Sequence, residues 1–330
     1  KTTILPDADA LFLTAIDRYG HELWRWTFPV NKLNQANEVL SPLSNKVTST
    51  ETENELTVKA KNHTFIFSKR DGQLKGVSVN NHKISFANGP RFIGARRADR
   101  SLDQFYNHDD EKAKEKDRTY SEFPDAAVFT KLEVKEDGGN LIVTANYKLG
   151  NLDKAQWTIN PNGEAALDYT YNFSGVVDLI GISFDYPEDQ VISKRWLGAG
   201  PYRVWQNRIH GTQYDVWEND YNDPIPGETF TYPEFKGYFD SVSWMNIRTK
   251  EGTISLTNET PDSYIGVYQP RDGRDRLLYT LPESGISVLD VIPPVRNKVN
   301  STDLCGPSSQ PKWVNGPQTG RIIFRFMEMK

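Results

Sequence analysis

Lys194-Arg195-Trp196-Leu197-Gly198-Ala199-Gly200-Pro201-Tyr202-Arg203-Val204-Trp205-Gln206-Asn207-Arg208 opens a stretch that runs on to Tyr232-Pro233-Glu234-Phe235-Lys236-Gly237-Tyr238. Trp196, Tyr202, Trp205, Tyr214, Trp217, Tyr221, Tyr232 and Tyr238 all fall inside it. Rings at this density, interleaved with Asn, Asp, Arg and Glu, admit two readings. In the first they face a sugar. A Trp or Tyr ring offers a flat apolar face with a polar edge, and a sugar stacks its C–H face there while its hydroxyls bind Asn, Asp and Arg. In the second they are cross-strand pairs packed at the edge of a β-sandwich. The Gly198-Ala199-Gly200-Pro201 run reads as a sharp turn that brings the backbone close to a neighbour. On the first reading the carbohydrate surface consists of Trp196, Tyr202, Trp205, Asn207, Arg208, Trp217, Tyr232 and Glu234. Trp205 with Asn207, and Tyr232 with Glu234, are i, i+2 pairs, which share a face if they lie on strands.

Working outward, the chain keeps a period of two. Leu56, Val58 and Ala60 alternate, and Phe65-Ile66-Phe67 leads into the Asp71-Gly72 turn, then Leu74 to Val79, then Asn80-Asn81. Further strands are expected at 126–135, 140–148, 155–159, 165–173, 179–185, 242–249, 252–257, 263–268, 285–291 and 320–327. Asp137-Gly138-Gly139 and Asn160-Pro161-Asn162-Gly163 separate three of them. So many short strands with Gly, Asn and Pro punctuation predict an all-β fold, a large antiparallel sandwich over residues 45–330. At the front, Ala10 to Ile16 reads as a buried strand and Trp24, Trp26 and Phe28 as a two-faced one. Two strands are too few for a domain, so residues 1–32 read as the remnant of another β-sandwich and 33–44 as a linker. Asp109 to Arg118 has a solvated, helix-compatible composition. Asn297 to Pro317 reads as a long loop of the kind used for binding.

Composition narrows the function classes. The net charge of -5 comes with no basic stripe, which argues against a nucleic-acid partner. No apolar run is long enough to span a membrane. Residues 1–25 lack a signal-peptide pattern, and Lys1 in place of Met points to processing or trimming. The single Cys305 excludes an internal disulfide framework and a thiolate zinc cage. No Gly-rich phosphate loop, helical repeat or heptad is present, and no cofactor is called for. The sequons at Asn62, Asn172, Asn258 and Asn300 matter only in a secreted eukaryotic protein.

The central stretch also resembles a known family. Gly198-Ala199-Gly200-Pro201, Asn207-Arg208 and Tyr232-Pro233-Glu234-Phe235 are similar to the signature of the last domain of family 2 glycoside hydrolases of the β-galactosidase type. There the run is Gly-Leu-Gly-Pro-Gln-Glu-Asn-Tyr-x-Asp-Arg. Phe65-Ile66-Phe67 through Leu74, then Gly89-Pro90-Arg91-Phe92, resembles the opening of that domain. The resemblance implies a galactose-mutarotase-like β-supersandwich at 45–330, with 1–32 left over from an immunoglobulin-like domain. It also implies a parent whose catalytic (β/α)8 barrel is the partner, and a β-galactoside or other glycan as ligand. A glycan-degrading bacterial parent would place it in the periplasm or outside the cell. Several positions depart from the pattern. Tyr202, Arg203, Val204 and Trp205 replace Gln-Glu-Asn-Tyr, and Arg96-Arg97-Ala98-Asp99 stands where the family carries an acidic cluster. The late loop holds no Trp between Ser301 and Pro307, and Trp313 follows it.

Hydrolysis of a glycoside needs two carboxyl groups flanking the scissile bond, and in this family both stand on the barrel. No alternating strand–helix units occur here, so the chain alone is expected to be inactive, with no catalytic residue of its own. Glu218, Asp220, Asp223, Glu228 and Glu234 read as sugar-bonding or turn-capping acids. Of His21, His63, His82, His108 and His210, only His210 lies near the signature, which leaves mutarotase-like epimerisation as a lesser alternative. A free-standing carbohydrate-binding module is the other. His108-Asp109-Asp110-Glu111 has ligand chemistry, but four adjacent residues on a loop do not converge on one ion, so no metal is expected.

Overall fold

A computed structural model describes residues 8, 10–30, 46–97, 120–220, 237–267, 285–294 and 306–329. The regular elements among them are strands and short 3-10 turns, and every strand pairing is antiparallel. Two large sheets face each other. One runs, edge to edge, Val128–Asp137, Asn140–Lys148, Leu152–Ile159, Ala165–Val177, Lys312–Met327, Gly252–Asn258, Trp244–Thr249, Val191–Gly200, Gln213–Asp220. The other runs Phe239–Asp240, Tyr264–Val267, Ile286–Val291, Leu179–Asp185, Ala87–Arg97, Leu74–Val79, His63–Ser68, Glu55–Ala60, Thr48–Glu51. His82–Ile84 and Tyr120–Glu122 are added at its side. The predicted antiparallel sandwich is therefore the fold.

Alternation sends one set of side chains inward from each sheet. Leu141, Val143 and Ala145 do so from Asn140–Lys148, and Ile322, Phe324 and Phe326 from Lys312–Met327. At the centre Trp157 meets Phe67 and Phe184 edge-on, with ring centroids 6.1 and 6.0 Å apart. Each such ring removed from water contributes about 1.5–3 kcal/mol. Leu179–Asp185 is covered on both faces and reads as a nearly unbroken apolar run, as doubly covered strands do. Ile180, Ile182 and Phe184 join the main core, whereas Leu179 belongs to a second, smaller cluster on the far side of its sheet.

Several expectations change. Ala10–Ile16 is not buried: with Glu22–Pro29 it forms a separate two-stranded sheet in which Leu13 and Trp24 are more than half exposed. Gly198-Ala199-Gly200 is the end of a ten-residue strand rather than a turn. The expected loop at 297–317 gives way, from Lys312, to a sixteen-residue strand, because Lys312 to Val177 and onward is one continuous ladder with Ala165–Val177. The expected linker at 33–44 and the charged segment at 109–118 lie outside the described residues.

Candidate functional site

The strand Val191–Gly200 carries the first half of the signature between Gln213–Asp220 and Trp244–Thr249. Trp196 points into the main core, fully buried, edge-on to Phe239 at 4.9 Å, and its indole N–H donates to the Ala199 carbonyl at 3.0 Å. It is a packing residue and offers no face to a ligand. Both glycines of the run are demanded by close approach. A Cβ at Gly200 would stand 2.4 Å from the Trp217 ring, and one at Gly198 would stand 3.0 Å from the Val242 backbone. Trp217 thus lies half-buried over Gly200, its N–H bonded to the Gln213 carbonyl at 3.0 Å.

Past Pro201 the chain leaves this sheet and crosses to the outer face of the other one. Val204 and Tyr238 exchange backbone hydrogen bonds at 2.8 and 2.9 Å. Trp205, 1% exposed, stands perpendicular to Tyr238 at 5.6 Å and packs with Ile93, Leu179, Leu289 and Ile292. The segment is a staple: its indole seals the far side of the second sheet. Trp205 is therefore also a core residue, and the reason is tertiary, since three distant strands supply its pocket. The expected Trp205–Asn207 pairing on a strand face is absent as well. Arg208 N–H bonds the Trp205 carbonyl at 2.8 Å, which closes a tight turn.

The remaining members of the expected surface divide. Tyr202, 53% exposed, and Arg208 stand open to solvent, and Asn207 is half-buried. Tyr232 and Glu234 lie outside the described residues. Among the described residues, side-chain hydrogen bonds join the staple to the late loop. Asn207 Nδ2 donates to Ser309 Oγ at 3.2 Å, and Gln206 Nε2 donates to the Gln310 carbonyl at 2.8 Å. Trp313, 68% exposed, is three residues beyond Gln310, at most about 11 Å along the chain. The association of the staple with this loop was not legible in the sequence; Gln206 and Ser309 carry no motif.

Of the histidines, His63 is buried with Nε2 at 2.8 Å from the Phe326 carbonyl, and burial lowers its pKa; its role is packing. His21 pairs with Asp17 on the hairpin. His82 and His210 are exposed, and His108 is outside the described residues. Among the described residues no group of three or more His, Cys, Asp or Glu gathers as a metal site. Glu218 and Asp220 are exposed on an edge strand.

Residues 59–286 match a family described as the β-galactosidase small chain. No curated protein matches the sequence. Among solved structures, galactose 1-epimerase from Lactobacillus acidophilus NCFM is similar at 9% identity and a TM-score of 0.46, over 86% of this chain and 98% of that one. An aldose epimerase homologue from C. elegans is similar at 8% identity and a TM-score of 0.37, over 86% and 100%. A galactose mutarotase-like protein from Lactobacillus casei ATCC 334 follows at 11% and 0.35, over 85% and 99%. All three TM-scores are below 0.5, and no property of this chain follows from them.

Proposed function

The chain belongs to the β-galactosidase small-chain family, and from that membership we propose that it is the non-catalytic, carbohydrate-associated β-sandwich of a β-galactosidase-type assembly. In this reading the hydrolytic carboxylates stand on a (β/α)8 barrel supplied by the rest of the assembly. The contribution of this chain is a rim. Tyr202 and Arg208 on the staple and Trp313 beyond the late loop offer exposed rings and a cation to a glycan or to the barrel. The observation that carries the reading is the pair of ties, Asn207 to Ser309 and Gln206 to Gln310, which hold the two loops as one surface. The hairpin supports it too. By register, Leu11 with Phe28, Leu13 with Trp26 and Ala15 with Trp24 share one apolar face, and most of these side chains are exposed. Such a face is suited to the remainder of an immunoglobulin-like sandwich, and it supports a reading in which 1–32 is a domain remnant and 45–330 the supersandwich.

The test has two parts. The purified chain is assayed on aryl β-galactosides and other aryl glycosides, and no turnover is expected; turnover abolished by replacing a carboxylate of this chain would overturn the reading. The chain is then added to the barrel-bearing partner or segment from the same genome. Restored β-galactosidase activity that weakens with Tyr202→Ala or Trp313→Ala supports the rim. Glycan binding with no effect on any barrel would instead favour a free-standing binding module.

A further inference from the structure

At the end of the sandwich, next to the Gln213–Asp220 edge, a cleft of about 730 Å³ opens to solvent. Its walls carry Tyr214, Asp240, Ser243, Asp262 and Tyr264, and Pro29 of the hairpin stands on its rim. We propose that this cleft binds a neutral, hydroxyl-rich ligand, a short saccharide, at a site separate from the Tyr202–Trp313 rim. The inference goes beyond the assembly reading and holds whether or not a barrel is present.

The geometry comes from pairing. Asp240 and Tyr264 are directly opposite in the short antiparallel ladder of Phe239–Asp240 with Tyr264–Val267. Directly opposed side chains share a sheet face, so a carboxylate stands beside an aromatic ring. Tyr264 is anchored from behind, because it packs on the cluster around Trp205 and Tyr238. The end of the strand carrying Asp240 is seated on Gly198, where an added Cβ would meet the Asp240 and Ser241 carbonyls at 3.1 Å. Also on the lining, Tyr214 hydroxyl and Ser243 Oγ are 2.6 Å apart, which fixes the second ring. The volume lies in the range of ordinary small-molecule pockets, about 300–1,000 Å³.

The charge distribution selects the ligand class. Asp240 and Asp262 have no cationic partner among the described residues. Glu259, also on the lining, is taken up by Arg321, and Arg321 is shared with Asp168. Among the described residues a phosphate or carboxylate ligand would meet carboxylates and no available cation, so anions are disfavoured. Hydroxyl groups donate well to carboxylates, and the Tyr264 ring offers a flat apolar face. Burial raises the Asp240 carboxyl above its ordinary pKa against the opposing hydrogen bond from Ser241, and the Asp262 charge adds to the rise. Donors brought by a ligand would relieve that desolvation.

The full chain is titrated with galactose, lactose, cellobiose and maltose by calorimetry. Hydrogen–deuterium exchange is followed at 240–243 and 258–264. At least one sugar is expected to bind saturably and to protect both segments. Asp240→Asn together with Asp262→Asn, near-isosteric changes that spare the fold, is expected to weaken that binding about tenfold, while Tyr19→Ala, on the exposed turn of the hairpin, leaves it unchanged. Tyr264→Ala is read only alongside its melting curve, because the ring is partly core. No binding of any sugar at tens of millimolar would overturn the proposal. So would binding that ignores both Asp changes, or protection of the cleft by calcium chloride alone. Loss of binding on Tyr202→Ala, with the Asp variant unaffected, would return the sugar to the rim instead.

Discussion

Trp24 and Trp205 teach opposite lessons from similar sequence surroundings. Trp24 lies between Leu23 and Arg25, Trp205 between Val204 and Gln206, and both sit in aromatic-rich, polar-punctuated stretches. Trp24 is 51% exposed on a hairpin whose apolar face has no cover among the described residues. Trp205, the indole of the staple, is sealed against side chains from three strands of the other sheet. Ring density therefore says that a surface will be covered or will bind, and the neighbouring sheet decides which.

The largest effect that tests this contrast is on stability. Trp205→Ala is expected to cost about 3–5 kcal/mol in denaturant unfolding. Trp24→Ala, made in the same chain, is expected to stay within about 0.5 kcal/mol. Equal losses would break the comparison. Next comes Gly200→Ala, which drives a methyl group into the Trp217 ring; overpacking of this kind costs about 1–3 kcal/mol, read as a lowered midpoint with an unchanged slope. An unaffected midpoint would show that Trp217 swings away freely.

Removal of residues 1–32 comes third. The described link between hairpin and sandwich includes the Arg25–Asp215 ion pair at 3.6 Å, and a surface pair of this kind contributes about 0–1 kcal/mol. A small fall in melting temperature is expected, and collapse of the whole fold would make the hairpin part of the sandwich. The smallest effect is a pH dependence at Asp240. Its folded pKa is raised, so the protonated form is favoured in the folded chain. The stability this gives is fully present below the unfolded pKa and is lost as pH rises through the folded one. Asp240→Asn should therefore match the parent in acid and become the more stable of the two as pH rises through the folded pKa. A parallel pair of melting profiles from acid to neutral would show that the carboxyl is effectively solvated.

Local regularities carried most of the architecture. Alternation at Leu56-Val58-Ala60 and Leu141-Val143-Ala145, with turn residues between runs, was enough for an all-β antiparallel sandwich, because side-chain direction along a strand has period two whatever lies across it. The signature glycines were legible as close-approach positions, although they end a strand instead of making a turn. The Val191–Gly200 and Gln213–Asp220 strands were hidden by the same Gly, Asn and Asp content that elsewhere marks turns.

By itself, then, the sequence determined the fold class, the strand periodicity and a family signature, all set by neighbours a few residues apart. Tertiary structure alone decided that Trp196 and Trp205 are core while Tyr202, Arg208 and Trp313 are not. It also brought Asn207 to Ser309 and set Asp240 beside Tyr264. The reason is physical: burial and convergence depend on which distant strand arrives opposite a side chain, and a pattern of period two is silent about that.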